Sequence, residues 1–151
     1  MTRAQAATDL LIKLEGLRLK AYLDTANNLT TGIGIKGVYP NGSPVRKDDV
    51  CTEAQAYMWL NQHLSKIYPY VDNICAGNNV TDRIYAALCS FVYNEGHCGP
   101  AIIYAIQNED IEELKTAFRL YNKEKINGIL TFSQGLANRR EAEIKYFMGI
   151  N

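Results

Sequence analysis

The sequence predicts an α+β fold: a small β-hairpin lobe leaning on a larger helical lobe, with a cleft between them. Three observations carry this expectation. Apolar–polar alternation of period two is confined to the first third of the chain, helical periodicity with capping signals fills the rest, and turn residues separate the two. With 151 residues, 47% of them hydrophobic, the chain is large enough to bury a full core without metal or disulfide support, and one domain over residues 1–151 is expected.

The elements follow in order. Thr2 and Gln5 have capping-box spacing and open a first helix whose apolar face is Leu10, Leu11 and Leu14, with Gly16 as its stop. Leu17 to Tyr22 then alternates apolar and polar residues, as a half-buried strand does. Asp24 to Asn28 is turn chemistry, and Leu29 to Ile35 reads as the returning strand, interrupted by Gly32 and Gly34. Residues 36–50, with Gly37, Pro40, Asn41-Gly42 and Pro44, read as loop with room for one short strand.

From Thr52 the signals become helical. Thr52 and Gln55 form a second capping box before a face of Ala56, Leu60, Leu64 and Ile67. Thr81 caps a helix carrying Ile84, Leu88 and Phe91, which Gly96 closes. Pro100 suits the first turn of a short helix running to Asn108. A further helix spans Ile111 to Tyr121, and the last runs from about Gln134 to Met148 with Leu136, Arg140, Ile144 and Phe147 on one side.

Charge narrows the function classes. Sixteen Lys and Arg balance sixteen Asp and Glu, and neither half of the chain carries a basic excess. Proteins whose main task is nucleic-acid binding show such an excess, so no nucleic-acid partner is expected. The longest apolar run near the N-terminus, Leu10-Leu11-Ile12, is too short for a signal-peptide core or a membrane span, so synthesis in the cytoplasm without stable membrane insertion is expected. The four cysteines, Cys51, Cys75, Cys89 and Cys98, contain no CxxC pair and read as reduced, mostly buried thiols, with Cys89 on a buried helix face. With only His63 and His97 to join them, a zinc site is not expected, nor is any cofactor.

The candidate chemistry lies at the start of the chain. Glu15 ends the first helix, Asp24 sits in the hairpin turn and Thr30 on the returning strand. Glycoside cleavage needs one carboxyl that donates a proton to the leaving oxygen and a second, ionised one that activates water or stabilises positive charge. Two carboxyls in different surroundings hold those two states at one pH. Such a spacing also arises by chance, so the context of the residues decides.

That context is a set of four motifs. Glu15-Gly16-Leu17-Arg18-Leu19-Lys20-Ala21-Tyr22-Leu23-Asp24-Thr25, followed by Thr30-Thr31-Gly32-Ile33-Gly34, resembles the active-site segment of the phage-type lysozymes, the endolysins. Thr52-Glu53-Ala54-Gln55-Ala56 resembles a helix start of that family, Leu88-Cys89-Ser90-Phe91-Val92-Tyr93-Asn94-Glu95-Gly96 its central helix, and Gly135-Leu136-Ala137-Asn138-Arg139-Arg140-Glu141-Ala142-Glu143 its C-terminal helix. The motifs stand in the family's order and cover nearly the whole chain.

The resemblance implies a lysozyme-like fold and a muramidase, which hydrolyses the β-1,4 bond between N-acetylmuramic acid and N-acetylglucosamine in peptidoglycan. It implies Glu15 as the catalytic acid, Asp24 as the second carboxylate and Thr30 as the hydroxyl at the attacking water. It further implies substrate-side roles for Tyr22, Asn94 and Arg139, with Arg139 near the catalytic Glu. The expected partner is the peptidoglycan glycan strand, met by a monomer that reaches the wall through a holin-type pore or lysis. Departures from the family pattern are Ala26-Asn27-Asn28 where a glycine is common, Thr31 for Ile, Ile35 for His, and Tyr121 for Trp. Asn tolerates the left-handed backbone that such a turn requires. Three other readings stand beside the one implied: a catalytically weak module that binds peptidoglycan or a protein, a bacterial effector or remodelling muramidase in place of a phage lysis protein, and a cysteine peptidase acting through Cys98 and His97.

Overall fold

A computed structural model describes residues 1–150. Helix α1 spans Arg3–Glu15, and the Thr2 hydroxyl accepts from the Gln5 backbone N–H at 3.0 Å. The reciprocal half of this capping box is absent, because the Gln5 amide donates instead to Asp9, one turn further on. At Thr52 both halves form, and α2 runs over Glu53–Cys75, carrying Pro69 within it.

Between these helices lies a three-stranded antiparallel sheet in the order β1 (Arg18–Leu23), β2 (Leu29–Gly32) and β3 (Ile35–Lys36). The single returning strand expected over residues 29–35 is therefore two strands. Gly32 and Gly34 both take positive φ and turn the chain back between them. The β1–β2 turn keeps its shape without glycine because Asn27 adopts the left-handed conformation, φ 64°.

The helical lobe continues with α3 (Asp82–Glu95), α4 (Pro100–Gln107) and α5 (Ile111–Arg119), and closes with α6 (Gln134–Phe147). Thr81 and Gly96 cap α3 at its two ends, as their positions in the sequence predict. Every residue of α3 from Ile84 to Tyr93 is buried, which makes it the central helix, and α1, α2 and α6 pack around it. Helix α5 stops two residues before Tyr121, whose ring instead packs edge-on against Phe91.

One element was not expected from the sequence. Strands β4 (Lys123–Ile126) and β5 (Ile129–Phe132) form a second hairpin across Asn127-Gly128, both at positive φ. All four β5 residues are exposed, so no alternation of buried and solvated positions marked it. Only the Asn-Gly pair gave a local sign.

The core holds two charged side chains. Arg140 and Glu143, one turn apart on α6, are both fully buried and hydrogen-bonded at 2.6 Å, and the Arg140 guanidinium lies 4.7 Å from the centre of the Phe91 ring. Removing one partner of a buried pair leaves the other uncompensated, which costs about 3–5 kcal/mol. Arg140→Met is expected to lose about that much unfolding free energy in urea titration. A loss below about 1 kcal/mol would show that the pair is not part of the folded core.

Candidate active site

Glu15 is the last residue of α1, and its side chain, 12% exposed, opens onto the cleft between the lobes. The cleft encloses about 390 Å³ and is lined by Glu15, Gly34, Ile35, Lys36, Tyr39, His63, Tyr93 and Asn94, among others.

The Glu15 carboxyl is held from both lobes. On the helical side, Arg139 donates from Nη1 to Glu15 Oε1, and from Nη2 to the Ser90 carbonyl at 3.2 Å and hydroxyl at 3.1 Å. Ser90 in turn donates to Glu143 Oε2 at 2.6 Å, and Arg139 Nε lies 3.8 Å from that same oxygen without a hydrogen bond. Arg140 extends the network outward, donating to Glu95 at 2.9 Å and to Asn94 Oδ1 at 2.8 Å. On the sheet side stands Gly34, φ 66°, where an added Cβ would fall 2.6 Å from Glu15 Cδ and Oε2. The Tyr93 hydroxyl donates to the Ile33 carbonyl at 2.6 Å and fixes this turn to α3.

Asp24 occupies a different environment. Its Oδ1 accepts from the backbone N–H groups of Ala26 at 2.9 Å and Asn28 at 2.8 Å, and Lys36 Nζ lies 3.6 Å from Oδ2. Partial burial works against the charge, but these hydrogen bonds and Lys36 outweigh it and hold the carboxyl below its ordinary range. Thr30 is buried, donates to the Asn28 carbonyl at 3.1 Å, and pairs across the sheet with Tyr22 and Lys36. Lys36, which lines the cleft, thus links it to Asp24 and Thr30.

The other expected residues divide. Asn94 lines the cleft, with its carbonyl oxygen committed to Arg140. Arg139 does not line the cleft. It lies behind Glu15 because its guanidinium is committed to Glu15 and Ser90, so its position is that of a group aiming the carboxyl. Tyr22 is outside the cleft as well, partly exposed, with the Arg18 guanidinium 4.9 Å from its ring centre.

His63 and Tyr93 were not singled out from the sequence as cleft residues. Their rings lie 4.3 Å apart and line the same wall as Glu15 and Ile35, so the cleft holds an imidazole that comes from α2. Burial, helped by the charge of Lys66 and opposed by that of Glu15, lowers its pKa and keeps it neutral at pH 7. Its spacing one residue before Leu64 on the apolar face of α2 was the available sign.

Cys98 is buried, and burial pushes its thiol up to about 12, while His97 beside it in sequence is exposed. A nucleophilic cysteine needs a lowered pKa and access, so this geometry argues against the peptidase reading. All four cysteines are free thiols. Among the described residues no three His, Cys, Asp or Glu side chains cluster about a common point, and no helix is long and apolar enough to cross a membrane.

A carboxyl at a helix end facing a small sheet across a cleft, braced by a buried arginine, is a lysozyme-like architecture, and solved structures agree. The endolysin from Escherichia coli O157:H7 phage FAHEc1 superposes with a TM-score of 0.85 at 27% identity, over 98% of this chain and 94% of that one. The family model for phage lysozyme matches residues 12–143, and the chain belongs to that family. Among sequence relatives, an endolysin of Acyrthosiphon pisum secondary endosymbiont phage 1 is 30% identical, covering 91% of this chain and 92% of its own. A SAR-endolysin of Pseudomonas phage phiKMV is 33% identical over 89% and 81%.

The contact at Gly34 yields a test. Gly34→Ala adds a methyl group against the Glu15 carboxyl at a φ that Ala resists, so about 1–2 kcal/mol of stability should be lost. Turnover on peptidoglycan should fall about a hundredfold, a loss that a misplacement of about 1 Å in a site can cause. Assays on the folded variant check this, and unchanged turnover would show that the turn does not position Glu15.

Proposed function

We propose that the protein is a muramidase that hydrolyses the β-1,4 bond between N-acetylmuramic acid and N-acetylglucosamine in peptidoglycan. The observation that carries this reading is the grip on Glu15. Arg139 occupies Oε1, while Oε2 faces the turn at Gly34 and remains to carry the proton. In this scheme protonated Glu15 donates to the leaving glycosidic oxygen as the bond breaks. Asp24, kept ionised by the turn amides and Lys36, takes the proton of a water that Thr30 helps to place, and that water attacks the anomeric carbon. Asn94 and the aromatic wall of Tyr93 contact the sugar rings. The chain acts as a monomer on the wall, as a lysis enzyme of endolysin type.

Glu15→Gln keeps the shape of the side chain but has no proton of suitable acidity to donate. Release of new reducing ends from purified peptidoglycan should fall by about 10²–10⁴-fold, with the far-UV spectrum unchanged. Wild-type product should carry N-acetylmuramic acid at the new reducing end. Wild-type-like turnover by the folded variant would remove Glu15 from the mechanism. Binding without cleavage by the wild-type protein would instead identify a peptidoglycan-binding module.

A further inference from the structure

The cleft does not end at the reacting groups. Past His63 it reaches Lys66, on the next turn of α2. Beyond Lys66 lies a second, open groove of about 410 Å³, lined by Pro40, Asn41, Gln62, Ser65 and Lys66. Pro40 and Lys66 line both depressions, so the two adjoin.

The chemistry changes along this path. In the cleft, Glu15 is paired with Arg139, and Lys36 faces Asp24 at 3.6 Å. Lys66 is exposed, and among the described residues no carboxylate lies within 4.0 Å of its ammonium group. Among the described residues, the groove is lined by no acidic side chain. Asn41 Oδ1 is occupied by the Ser43 backbone N–H and hydroxyl at 2.9 and 2.7 Å, which leaves the Asn41 amide nitrogen as a donor. The amide of Gln62 and the ammonium of Lys66 add further donors on the same surface. In a chain of zero formal charge this is a local arrangement of donors around one unpaired cation, which suits an extended ligand bearing carboxylates and peptide carbonyls.

We infer that this groove seats the peptide stem carried on the lactyl group of the muramic acid, with Lys66 pairing a stem carboxylate. The inference rests on the muramidase reading above and names the part of the substrate that reading leaves open. It makes Lys66 a specificity-determining residue, acting on a substrate group remote from the bond that breaks.

The test compares wild type with Lys66→Ala, Lys66→Glu and Lys66→Arg on two soluble polymers. One is glycan strands bearing stems, prepared from a wall that lacks teichoic acids, and the other is the same strands stripped of stems by an amidase. An exposed ion pair predicts a roughly threefold fall in kcat/KM for Lys66→Ala on stem-bearing strands, and about tenfold for Lys66→Glu, mainly through KM. Lys66→Arg should stay close to wild type. On stripped strands all four proteins should agree within about twofold. Equal losses on both polymers would place Lys66 on the glycan and overturn the inference. So would the absence of loss on either, or a loss appearing only with teichoic-acid-bearing walls, which would make the anion a phosphate. Failure of the wild-type protein to release reducing ends from either polymer would overturn the muramidase reading, and the inference with it.

Discussion

A carboxylate without solvent must be matched by cations and donors at close range, or it does not stay in a core. Glu143 is such a group, fully buried between α6 and α3. Arg140 and Arg139, three and four residues before it, lie on its own helix face, and Ser90 of α3 donates to it. Arg140 is hydrogen-bonded to Glu143 directly, whereas Arg139 is held beside it through Ser90, which donates to Glu143 and accepts from Arg139. One reaches Asn94 and Glu95 at the end of α3, and the other reaches Glu15 at the end of α1. Helices α1, α3 and α6 thus meet in one hydrogen-bonded network that runs from Glu143 through Ser90 and Arg139 to the cleft carboxyl.

The sheet completes the arrangement from the opposite side. Tyr93, on the face of α3 toward the cleft, ties the Ile33 carbonyl down, and Gly34 can approach Glu15 only because it has no side chain. Asp24 shares none of these contacts. It belongs to the β1–β2 turn, where two backbone amides and Lys36 favour its charge. The two carboxyls thus have separate surroundings built by separate parts of the chain, which is the condition for giving them different tasks.

The elements with strong local signals were readable in the sequence. Caps at Thr52, Thr81 and Gly96 and the apolar faces of α2 and α3 stand where their spacing places them. Glu15 and Asn94 were found as cleft residues through motif order. What escaped had only weak local signs. The β4–β5 hairpin is exposed on every β5 position, so its strands carry no buried face to betray them. Motif order set Arg139 near Glu15 and the cleft, but not its bonds to Ser90, because the direction of a guanidinium is set by partners more than forty residues away. His63 joins the cleft only once Tyr93 is packed beside it.

Glu143 does not touch Glu15, and the network makes Arg139 the route by which it acts on it. A double-mutant cycle on kcat/KM with Arg139→Lys and Glu143→Gln, run at a temperature where all four proteins are folded, tests this most directly. Each single change should lower turnover, and the double variant should be little worse than the poorer single, giving a coupling of about 1–3 kcal/mol. Additivity within about 0.5 kcal/mol would contradict the account, because it would mean that the buried carboxylate and the arginine reach the site independently.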